Sequence, residues 1–212
     1  MKDAKDFENC INFPLFNLPD DTLIMDIIPL PELHLMLGCV NNILEELNKR
    51  WAESTGIEDP VWHFCHENGI KNITYRGKSL EGPQCEKLLK NLDKLERRVP
   101  RRLRVFVTAL FNFEALKKSC FSDKVHDNFK SNWNAFKFTY QFLSFPSGST
   151  KIHIVLDHLE QFVESKGALG PFSEQASESV HADWKKTWNL YNTYPGDDRL
   201  MRCVLKYNKK HL

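Results

Sequence analysis

The sequence predicts a mainly α-helical protein, and three observations carry that expectation. Apolar residues recur at spacings of three and four through most of the chain. No segment alternates apolar and polar residues as a half-buried strand does. Aromatic residues make up 12% of the 212 positions, including 15 Phe and 5 Trp, an apolar payload suited to packing helices on one another.

Residues 1–30 are irregular. They carry Pro14, Pro19 and Pro29, with Pro31 just beyond, and a residue before proline avoids the helical region, so helix begins only after Pro31. From there Leu33, Leu37, Val40, Leu44 and Leu47 recur at three and four, with Glu45, Glu46, Lys49 and Arg50 opposite, which predicts an amphipathic helix over 32–53. A turn from Gly56 to Pro60 leads to a short helix near 61–67. Gly77 and Gly82 bracket a turn or hairpin-like stretch. The next helix spans CEKLLKNLDKLERR, residues 85–98, and Pro100 breaks it. Helices over 101–119 and 123–145 follow, then the breaker FPSGST.

Beyond the breaker, Ile152, Val155, Leu159 and Phe162 space out another helix, which ends at Gly167 with Lys166 near its carbonyl end. Ser173 caps a helix over 173–191. The last helix, 197–210, has Asp197 and Asp198 at its start and Lys206, Lys209 and Lys210 at its end, the order its dipole prefers. The chain thus divides into an irregular segment 1–30, a helical region 31–148 and C-terminal helices 149–212. Leu33, Leu37, Leu44, Phe106, Phe113, Phe136 and Phe142 are expected in the core.

The charge balance, 29 Lys plus Arg against 28 Asp plus Glu, excludes a bulk polycation or an acidic solvating tail. Six cysteines are scattered without any CxxC, which predicts free thiols and an intracellular protein, nuclear or cytoplasmic. No charge-free run approaches the ~18 residues of a membrane span, so no membrane association is expected. The opening MKDAKDFENCINFPLF has no tag, arm or capping element, which fits a chain beginning inside what was once a longer protein. There is no Walker loop, GxGxxG, HExxH or GxSxG.

Four groups of residues could carry chemistry. Lys90, Lys94, Arg97, Arg98, Arg101 and Arg102 form a dense basic run suited to phosphate, although Asp93 and Glu96 interleave it as in a solvated face. Trp62 to His66 hold two histidines and a thiol, but adjacent helical positions point apart, so core and surface roles are expected there. His153 and His158 stand H-x4-H, and an ideal helix rotates them about 140° apart, so a shared metal needs an unwound or terminal turn. In SEQASESVHADW, Glu174, Glu178 and His181 line a polar face at a helix start, where carboxylates also serve the dipole.

The stretch HIVLDHLEQFVESKGALGPFSEQASESVHADWKKTW resembles the C-terminal end of the catalytic core in Transib-type transposases and in the V(D)J recombinase catalytic subunit. His153 and His158 match that family's histidine pair, Gly167, Gly170 and Phe172 its connector, and Glu178 followed by Ser179 its acidic position. Leu33, His34 and Gly38 resemble the start of the family's helical insertion, and ITYRGKSLEGPQCEKLL an element within it. The resemblance covers the chain from about residue 30 onward.

The resemblance implies the helical insertion and C-terminal helices of an RNase H-like core, without the core sheet. Such enzymes cut DNA with two Mg or Mn ions on an Asp, Asp, Glu triad, because paired cations bind the attacking and leaving oxygens. In the family both Asp, and the Cys pair that completes a zinc site with the histidines, precede the segment present here. The resemblance therefore implies a truncated or domesticated, inactive protein that keeps one catalytic carboxylate, Glu178, and half a zinc site, His153 and His158. No metal is expected to be tightly bound by this chain alone. Its expected partners are DNA, through the basic run, or a related transposase subunit. Two other readings stand beside this one: a metal-dependent transposase or nuclease taking its two Asp from an upstream segment or another chain, and a helical interaction module.

Overall fold

The structure, a computed structural model, describes residues 30–73, 78–143, 145, 149–172 and 175–211, of which 175–182 and 207–211 are described by backbone alone. It is mainly helical, and the one extended pairing among the described residues is an isolated antiparallel bridge between Ile73 and Ser79, inside the expected hairpin-like stretch. Of the expected irregular segment 1–30, all but Leu30 lies outside the described residues.

Helix α1, Glu32–Thr55, starts after Pro31 in an extended conformation and stops at Gly56, whose left-handed backbone donates its N–H to Ala52 O. Its inner stripe, including Leu35, Val40, Ile43, Leu44 and Leu47, is completely buried. Leu33 and Leu37 are only half-buried, packing on the core from its rim near the first turns of the helix.

Two asparagines on α1 anchor the next two helices. Asn48 donates to Asp59 Oδ1 at 3.0 Å and accepts the Val61 N–H at 3.0 Å, fixing the start of α2, Pro60–Glu67. Asn41 accepts the Leu80 N–H at 2.7 Å and donates to the Leu80 carbonyl at 3.0 Å, tying down the approach to α3, Gly82–Leu89. The single helix expected over 85–98 is two, α3 and α4, Leu92–Arg98. Asn91 makes the break: its N–H closes a tight turn to Leu88 O and its side chain donates to Lys87 O, in competition with helical continuation.

After a 3₁₀ turn at Arg101–Leu103, α5, Arg104–Cys120, and α6, Phe129–Phe142, run antiparallel. Asn112 donates to Thr139 Oγ1 at 2.7 Å and Asn132 to Ala115 O at 3.2 Å across the seam. Phe113 packs on Phe136 with centroids 5.3 Å apart, and Phe106, Phe113 and Phe136 are fully buried as expected. Phe142 is not: it is 69% exposed. The inner face of α6 runs Phe129, Trp133, Phe136, Tyr140, and two residues beyond Tyr140 the helix has turned about 200°, toward solvent.

The C-terminal rod comprises α7, Thr150–His153, a π turn at Ile154–His158, and α8, Leu159–Lys166. A Cβ on Gly38 of α1 would lie 2.6 Å from Lys151 Cβ, so this glycine lets α1 and α7 approach closely. Gly167 then adopts φ 85° and ψ −151°, a region essentially reserved for glycine. The connector runs back along the end of α5, where Leu169 N–H reaches Cys120 O and Gly170 N–H reaches Ser122 O. Helices α9, Gln175–Leu190, and α10, Gly196–His211, form a hairpin. No described helix is long and apolar enough to cross a membrane. Cys39, Cys65, Cys85, Cys120 and Cys203 are free and buried.

Candidate functional site

The histidines of the H-x4-H pair meet. His153 Nε2 and His158 Nε2 stand 3.2 Å apart, with ring centroids at 4.9 Å and planes perpendicular. The rotation that separates them on an ideal helix is removed by the π turn, in which Leu159 N–H bonds to Ile154 O five residues back. A turn closed over five residues returns position i+5 to the side of position i.

Two donors on α6 hold this turn. Trp133 Nε1–H donates to Val155 O at 2.9 Å, and Lys137 Nζ donates to Leu156 O at 2.8 Å. Both carbonyls lie inside the turn, so a neighbouring helix satisfies backbone groups where the α-helical ladder is interrupted. Lys137 also pairs with Asp157 Oδ1 at 3.2 Å, and Asp157 Oδ2 lies 2.9 Å from His153 Nδ1. Slight burial works to raise the Asp157 carboxyl, but hydrogen bonds and charge from Lys137 and His153 outweigh it and hold the group below its ordinary value. A cleft of about 330 Å³ opens beside the pair, lined by Tyr140, Phe145, Ile152, His153, Leu156 and Asp157.

Two nitrogens on a tetrahedral zinc, each about 2.05 Å from the metal, stand about 3.3 Å apart. The observed separation fits two corners of such a site. A carboxylate on the far ring nitrogen is the usual outer support of a metal-binding histidine, leaving Nε2 for the metal. The donor set ends there, since no group of three or more His, Cys, Asp or Glu with metal-binding geometry occurs among the described residues. Without metal, the same spacing lets one ring donate to the other when their tautomers are complementary.

The remaining candidates are less concentrated. Lys90 ends α3, Lys94, Arg97 and Arg98 lie on α4, and Arg101 and Arg102 occupy the 3₁₀ turn; all six are exposed. The breaks at Asn91 and Pro100 divide the run among three elements. Arg98 is paired with Glu67 at 3.2 Å, whereas the other five make no ion pair among the described residues. Glu178 lies on α9, one turn from its start, and its side chain is outside the described set, as is that of His181; Glu174 lies outside the described residues altogether. In α2, Trp62, Phe64 and Cys65 face the core while His63 and His66 face solvent, the divergence expected of adjacent positions. Sequence reasoning missed Asp157, although its spacing of four from His153 is a same-face signal. It also missed Trp133 and Lys137, which no local pattern reveals.

Compared with protein families, curated proteins and solved structures, the chain matches none.

Proposed function

We propose that the chain is a transposase-derived DNA-binding protein of the Transib and V(D)J recombinase type, inactive in cleavage by itself and acting inside the cell. The observation that carries this reading is the His153–His158 pair, brought together by a π turn and backed by Asp157. The motif residues around it add support: Gly38 at a close helix contact, Gly167 in a glycine-only conformation, Gly170 against the backbone of Ser122. On this reading α9 carries Glu178 as the remnant of the RNase H-like active site, and the exposed cations from Lys90 to Arg102 contact DNA phosphates. The histidines supply two ligands of a four-ligand zinc site. Bound there, zinc would crosslink α7 and α8 to whatever segment or subunit contributes the other two ligands.

The test is duplex binding by fluorescence anisotropy at low salt, with Arg97, Arg101 and Arg102 each changed to Glu. Wild type should bind duplexes of unrelated sequence with similar affinity, and the triple variant should lose binding and flatten the salt dependence by about 0.9 per phosphate contact removed. Absence of wild-type binding would defeat the DNA reading. Strand cleavage in Mn²⁺ that vanishes in Glu178→Gln would instead favour the enzyme reading, with the missing carboxylates supplied from another chain.

A further inference from the structure

Helix α10 is amphipathic in the reverse sense to the core helices. Its cations lie against aromatic rings: the Arg199 guanidinium is 4.2 Å from the Trp188 centroid, that of Arg202 4.2 Å from Tyr194, and Lys206 Nζ 5.9 Å from Tyr191. Arg199 Nε–H also donates to Trp188 O at 2.9 Å, and Cys203 is buried on the inner side. This arrangement leaves the apolar face outside. Leu200, Met201, Val204 and Leu205 are 49%, 60%, 37% and 55% exposed, and their spacing i, i+1, i+4, i+5 makes one continuous stripe.

The charges at the two ends of α10 indicate what covers that stripe. Asp197 and Asp198 occupy the first turn, and Lys206, Lys209 and Lys210 fall in the last turns. Turned end for end, a second α10 would set its lysine-bearing end beside Asp197 and Asp198, its acidic turn beside the lysines, and its dipole against the first. A parallel pairing would oppose like charges at both ends. The helix is therefore complementary to an inverted copy of itself, which is the requirement of an isologous two-fold interface.

We propose that two copies of this chain associate through α10, antiparallel, with Leu200, Met201, Val204 and Leu205 at the centre. One helix face is smaller than the ~800 Å² per partner of a standard interface, so the dimer forms with rising concentration. This surface is independent of the DNA reading.

Sedimentation velocity of the full chain across the micromolar range tests it. Wild type should pass from monomer to dimer. Leu200→Glu with Val204→Glu, both at exposed positions, should keep the helical content and melting of wild type and raise the dissociation constant by more than about tenfold. Asp197→Lys with Asp198→Lys should weaken the dimer, and adding Lys209→Asp and Lys210→Asp to the same chain should restore it. A wild type monomeric at every concentration overturns the proposal, as does a dimer indifferent to the Glu variants. So does a monomer that uses this face to bind vesicles of phosphatidylcholine and phosphatidylserine.

Discussion

Trp133 on α6 donates its indole N–H to the carbonyl of Val155, 2.9 Å away and inside the π turn that aligns His153 with His158. The bond links a core side chain to the geometry of an exposed pair. Trp133→Phe keeps most of the packing but strands a buried carbonyl, at a cost of about 1–3 kcal/mol. Urea unfolding should register that loss. Histidine ring NMR should show the contact between His153 and His158 weakened, whereas a purely packing role for Trp133 would leave the imidazole signals unchanged.

Zinc affinity follows from counting ligands. Two imidazoles place nitrogens at two corners of a tetrahedron and leave water at the others, so the chain alone should bind zinc weakly and lose it on gel filtration. His153→Ala or His158→Ala should abolish even this binding in a competition titration. Stoichiometric zinc carried through purification would contradict the two-ligand count.

Asp157 predicts an acid-side effect. Its carboxyl is held below its ordinary value, so its contribution to stability is complete above pH ~3.8 and is lost as pH falls through the lowered value. The stability gap between wild type and Asp157→Asn should be full at neutral pH and close as pH drops below 3.8. Denaturant titrations at several pH values would measure it.

The buried thiols predict an effect at the other end of the scale. Burial pushes Cys65, Cys85 and Cys120 from 9.0 up to about 12, so each stays protonated in the folded chain where the unfolded chain ionises. Their contribution to stability is present below pH 9 and is lost as pH rises toward 12. At neutral pH they should react with a thiol reagent only as fast as the protein opens.

Gly170→Ala tests the connector. The added Cβ would lie 2.5 Å from Ser122 O and 2.6 Å from its carbonyl carbon, both backbone atoms with little room to yield. The expected destabilisation is about 1–3 kcal/mol, read from the urea midpoint, with helix content nearly unchanged.

Much of this architecture was legible because local pattern and tertiary packing agree. In α1 the three-and-four spacing, Pro31 and Gly56 give the bounds almost unaided. The division between α3 and α4 was missed because Asn91 breaks the helix through its own side-chain bond, without a proline or glycine to mark it. Phe142 was misplaced because a hydrophobic residue in a helix says nothing of which face it occupies until the neighbouring helix is known. The π turn was illegible for a deeper reason. H-x4-H is the same string in either helix type, and the donors that hold this one lie about 20 residues earlier in the chain, on α6.

Tyr140 donates its hydroxyl to Asn42 Oδ1 at 2.6 Å across 98 residues of chain, and Gly38 meets Lys151. Helix α1, the earliest described helix to leave the ribosome, thus has partners among the last third of the residues made. At the ~5–20 residues per second of translation, its apolar stripe waits several seconds or more for α6 and α7 to emerge. During that interval the nascent chain exposes a 24-residue amphipathic helix to the cell. Its yield in synthesis should therefore depend on chaperone capacity more than the stability of the finished fold would suggest.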